Sequence, residues 1–61
     1  MVERYDLKGM TTKINDLKKT AIELKTLSHG IPAIDANVDR ILSNVRILEI
    51  SISEAADVLE D

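Results

Sequence analysis

The acidic residues near the C-terminal end are the first candidates for chemistry. Glu54 and Asp57 lie three residues apart, and Asp57 and Asp61 four. On a helix each such pair shares a face, where two carboxylates can hold a divalent cation or divide acid and base duties. Carboxylate-bridged di-iron bundles also need a Glu-x-x-His unit. None is present: His29 is the only histidine, and there is no cysteine. A multi-histidine site within one chain and a thiolate site are both excluded. The acidic group therefore reads as a solvated helix face, with no metal or other cofactor expected. His29 could serve as a switch, or as a ligand shared across an oligomer axis. Its place at a helix C-terminus, where positive charge is mildly favoured, accounts for it without either role.

Lys8, Lys18, Lys19 and Lys25 could meet a phosphate backbone. They are spread around a helix rather than gathered into one stripe. The chain carries 8 basic and 11 acidic residues, net charge −3, whereas nucleic-acid binders show a clear basic footprint. With neither Trp nor Phe, and Tyr5 the only aromatic, no platform exists for base stacking. Nucleic acid is thus the alternative partner: a small RNA- or DNA-binding regulator using these lysines on a hairpin dimer. In size and architecture alone the chain resembles plasmid copy-number regulators, which are RNA-binding dimers of helical hairpins. It shares no motif with them, and fold does not carry function. Gly9 and Gly30 are too far apart for a phosphate-binding loop, and no base is placed to activate a hydroxyl. No enzymatic activity is expected.

These side chains must ride on helices, because two heptad stripes run through nearly the whole chain. The first is Leu7, Met10, Ile14, Leu17, Ala21 and Leu24. The second is Ile34, Val38, Ile41, Val45, Leu48, Ile52, Ala55 and Leu59. Between them stands Ser28-His29-Gly30-Ile31-Pro32. Gly30 can take the left-handed conformation that ends a helix. Pro32 suits the first turn of the next one, where its missing N–H is not needed. Asp35 then lies where the helix dipole favours negative charge. The expectation is a single all-α domain over 1–61, an antiparallel, coiled-coil-like hairpin. Its first helix covers about 6–29, its turn about 29–31 and its second helix about 32–60. Gly9 is the weak point of the first helix: Asp6 either caps it, or the firm helix starts near Thr11. A second architecture also fits, with Gly30 and Pro32 kinking one long helix. Such a rod would be about 80–90 Å long, at roughly 1.5 Å per residue.

The stripes mirror each other about Ile31. With Leu7, Ile14 and Ala21 at heptad position a, Met10, Leu17 and Leu24 fall at d. On the second helix Val38, Val45, Ile52 and Leu59 are a, and Ile34, Ile41, Leu48 and Ala55 are d. Folding back pairs Leu24 with Val38, Ala21 with Ile41, Leu17 with Val45, Ile14 with Leu48, Met10 with Ile52, and Leu7 with Ala55. Each a then meets a d, as antiparallel knobs-into-holes packing requires. On one flank Lys25 is expected near Asp35, Lys18 near Leu42 and Thr11 near Glu49. The other flank holds Lys13, Thr20, Asn37, Asn44 and Ser51, mostly small and neutral.

Sixty-one residues make a marginal core. Without disulfide or metal, a partner is the remaining route to a larger one. Ile22, Leu42 and Ala56 border the seam on one side and are candidates for self-association. Ile47, Ile50 and Val58 point elsewhere and are candidates for another protein or a larger oligomer. The expected function is a non-enzymatic interaction or oligomerisation module, a structural or regulatory subunit or adaptor. It would pair with itself, most simply as a homodimer forming a four-helix bundle. No apolar stretch approaches the about 20 residues of a membrane span. The opening Met-Val-Glu-Arg-Tyr-Asp lacks the order of a signal peptide, so a cytoplasmic location is expected.

Overall fold

The computed structural model describes the backbone of residues 6–60 and the side chains of 6–57. Two helices, α1 (Leu7–Ser28) and α2 (Pro32–Glu60), pack against each other as an antiparallel hairpin. No strand forms among the described residues. The longest dimension is 48 Å. That is the length of the longer helix at about 1.5 Å per residue, not of a 61-residue rod. The kinked single helix is therefore not what this chain forms.

Each end of α1 has a local cause. Asp6 is the N-cap: its Oδ1 accepts the Gly9 N–H at 2.8 Å, while its carbonyl accepts the Met10 N–H at 2.9 Å. The carboxylate lies directly over Gly9. A Cβ there would stand 2.5 Å from Asp6 Oδ2, so the glycine makes room for the cap. At the other end His29 and Gly30 both turn left-handed, at φ 53° and 92°. The His29 N–H still reaches the Thr26 carbonyl, at 3.4 Å.

Ser28 joins the turn to the next helix. It is the one buried polar residue among those described. Its Oγ accepts the Ile31 N–H at 2.9 Å and donates to the Ile31 carbonyl at 3.5 Å. Pro32 opens α2, and the first α2 hydrogen bond runs from the Asp35 N–H to the Ile31 carbonyl, 2.9 Å. Asp35 lies in the first turn of α2 and Lys25 in the last turn of α1, each on the side the helix dipole favours.

The core is thin. Ile14, Ala21, Val38 and Val45 are the buried apolar residues, Val38 most completely at 1% exposed. All four occupy a. At d, Met10, Leu17, Leu24, Ile41 and Leu48 remain 37–50% exposed. Leu7, Ile34, Ile52 and Ala55 are half-buried, and the Leu59 side chain lies outside the described residues. The physical reason is rotational. Both helices face each other along their a rows, so each d row lies about 60° to one side. In a pair of helices nothing stands over that side.

Candidate functional site

The d rows of the two helices lie on the same side of the hairpin, because antiparallel neighbours bring like flanks together. Together they form one apolar surface two helices wide. Near its open end it deepens into a groove of about 650 Å3, lined among others by Met10, Ile14, Leu48, Ile52 and Ala55. That volume is in the range of small-molecule pockets. The groove lacks the convergent polar groups that fix a ligand. Of the polar residues at its edge, Asp6 is already engaged as the cap of α1 and Ser51 bonds to its own helix, which leaves Lys13.

On α2 the rim of this surface is built from small residues at heptad position g, whereas on α1 the same position holds Lys13, Thr20 and the exposed Leu27. Ser51 donates its hydroxyl to the Ile47 carbonyl at 2.9 Å, and Asn37 its amide to the Ala33 carbonyl at 2.9 Å. Both side chains are thus folded back onto their own helix, and the α2 rim beside the apolar rows stays low.

The opposite side of the hairpin has a different character. Lys18 pairs with Glu49 at 3.4 Å and Lys25 with Asp39 at 2.8 Å, both bridging α1 to α2. A second groove, of about 340 Å3, runs here past Thr11, Asn15, Glu49, Ser53 and Ala56. Thr11 and Glu49 thus line one groove. The ion-pair partners of the two lysines are not the neighbours that the sequence register suggests. Lys25 takes Asp39 rather than Asp35, and Lys18 takes Glu49 where the register sets Leu42 near it. A lysine stem is long enough to span one helical turn, so its partner is chosen by orientation as much as by level. Asp35 is half-buried beside the turn, and its Oδ1 has no hydrogen-bond partner among the described residues. The bond to the Asp39 carboxylate, and secondly its charge, hold the Lys25 ammonium above its ordinary pKa.

The remaining candidates lie outside the d rows. Leu42 and Ala56 are half-buried on the ion-paired side, and Ile22 is 49% exposed near it. Ile47 and Ile50 are exposed on the outer surface of α2, while the side chain of Val58 lies outside the described residues. Among the described residues no three His, Asp or Glu side chains converge as a metal site would require. Asp61 is not among them. No helix of the described residues is long and apolar enough to cross a membrane.

The sequence alone left two couplings unread, that of Ser28 to Ile31 and that of the Asp6 cap to Gly9. Ser28 reads there as a polar residue beside the turn, although a hydroxyl three residues ahead of an unpaired N–H is a recognisable clamp. Asp6 and Gly9 read as separate features, although Asp-x-x-Gly places the cap acceptor over its N3 residue.

Neither family models, nor curated proteins, nor solved structures gave a significant match to this chain.

Proposed function

We propose that this chain is a non-enzymatic protein–protein interaction module that assembles with itself, as a homodimer forming a four-helix bundle. One observation carries the reading. The d row, half of each heptad stripe, stays 37–50% exposed at Met10, Leu17, Leu24, Ile41 and Leu48, side by side on one surface. Single exposed apolar residues are ordinary; a contiguous apolar face marks a contact surface. A core this small rarely supplies more than about 3–5 kcal/mol, and a second hairpin would enlarge it at no extra chain length. The module would work as a structural or regulatory subunit, in a cytoplasmic setting that a cysteine-free chain fits. Ile47 and Ile50 on the outside of α2 offer a place for another protein once the dimer has formed.

Sedimentation equilibrium across a hundredfold concentration range tests this. Twice the chain mass is expected, with a melting temperature that rises with concentration because association is coupled to folding. A chain that stays at monomer mass at millimolar concentration, with a concentration-independent melt, ends the proposal.

A further inference from the structure

We infer that the second copy packs on the d-row surface, not on the ion-paired side, and that the two turns lie at the same end of the bundle. This rests on the proposal that the chain self-associates, and adds the face and the orientation.

The choice of face follows from what each side would lose on contact. The ion-paired side carries Lys18–Glu49 and Lys25–Asp39, each with at least one partner well exposed to water. Covering them removes water from four charged groups, and such desolvation can exceed the attraction within a pair. The d-row side has less to lose. Its charged rim residues are Lys13 and Asp6, Asp6 being already engaged as the cap of α1; Asn37 and Ser51 bond to their own backbone, and Thr20 and Asn44 are uncharged. The area is also adequate. A face about 48 Å by 15 Å offers roughly 700 Å2, close to the about 800 Å2 per partner of a standard interface.

The orientation follows from charge. Within α1 five lysines stand against two acids, net +3; within α2 two arginines stand against six acids, net −4. Two hairpins can meet face to face about either of two axes. With turns at opposite ends, α1 lies on α1 and α2 on α2, like on like. With turns at the same end, each α1 lies on the α2 of the other copy. Only the second arrangement sets +3 against −4 twice. It also brings Glu23 level with Arg40 of the second copy, since both sit at heptad position c on the outer edge of this surface. Leu24 then sits between Ile34 and Ile41 of the other chain.

A mixed dimer of isotope-labelled and unlabelled full-length chain reads both claims without any substitution. Isotope-filtered NOEs are expected from the Leu24 methyls to Ile34 and Ile41 of the other copy. NOEs from Leu24 to Met10 of the other copy overturn the orientation. NOEs between copies that involve Leu42 and not Leu24 overturn the face. Sedimentation of Leu17→Glu and Leu42→Glu adds a second reading. The first is expected to weaken the dimer at least a hundredfold and the second less than fivefold; the reverse order overturns the face. A monomer throughout defeats the self-association proposal itself, whereas a dimer with the wrong contacts defeats only this inference.

Discussion

His29 and Gly30 share a left-handed backbone but differ in what it costs them. For an L-residue the left-handed helical region brings Cβ near the following carbonyl, roughly 1–2 kcal/mol; glycine escapes this. His29 holds φ 53° with a full side chain and no compensating side-chain hydrogen bond among the described residues. Gly30 holds φ 92°, with nothing within 4 Å of where a Cβ would stand. Substitutions at these neighbours therefore act with opposite sign. His29→Gly should stabilise by about 0.5–1 kcal/mol, the relief of strain less the added freedom of the unfolded chain. Gly30→Ala should destabilise by about 1–2 kcal/mol through the backbone alone, since it meets no steric obstacle. Urea unfolding of the two variants checks this. A stabilising Gly30→Ala would mean that the turn does not hold this conformation in solution.

At the scale of the helices, the start of α1 couples two residues that act as one device. Removing the cap by Asp6→Ala should cost about 1 kcal/mol. Gly9→Ala alone should gain little, because the new Cβ displaces the capping carboxylate and so offsets the helix propensity it adds. In the Asp6→Ala background that conflict is gone, and the same substitution should stabilise by about 1 kcal/mol. A double-mutant cycle in urea reads the non-additivity directly; strictly additive effects would dissolve the link. Between the helices, Lys25 gives a pH dependence of known sign. Its pKa is raised in the fold, chiefly by the hydrogen bond to Asp39. Its contribution is therefore full below a lysine's ordinary 10.5 and is lost as pH rises through the higher folded value. Asp39→Asn should flatten that alkaline limb of the stability curve, and an unchanged limb would remove the pair as its cause. The helix ends were legible beforehand because Asp6, Gly30 and Pro32 act on their immediate neighbours. The Lys25–Asp39 pair was not, because side-chain reach, and not register, selects among acids one turn apart.

At the scale of the whole molecule, the heptad reading placed the two stripes against each other but could not separate their rows. Letters a and d are equivalent in a pattern of apolar residues. Only the rotation of each helix in the fold assigns a to the interior and leaves d open, and that rotation decides which face a second copy would cover. A core substitution can test whether the fold and the proposed dimer form one cooperative unit. Val45 is 3% exposed, and Val45→Ala deletes two buried methyl groups. At about 0.8 kcal/mol per buried carbon plus a cavity contribution, that is roughly 2 kcal/mol per chain. If each chain unfolds alone, the variant's urea midpoint is lower than that of the wild type and stays at one value at every concentration. If two chains fold only together, both substitutions count in one equilibrium, about 4 kcal/mol, or roughly three decades in the constant for dissociation with unfolding. That constant scales with chain concentration at the midpoint. A tenfold rise in concentration should then restore about a third of the lost midpoint, and a thousandfold rise nearly all of it. Urea melts of Val45→Ala at three concentrations distinguish the two cases. A Val45→Ala midpoint that does not move with concentration would show that the four buried residues of a single hairpin suffice, and that the exposed d rows serve something other than folding.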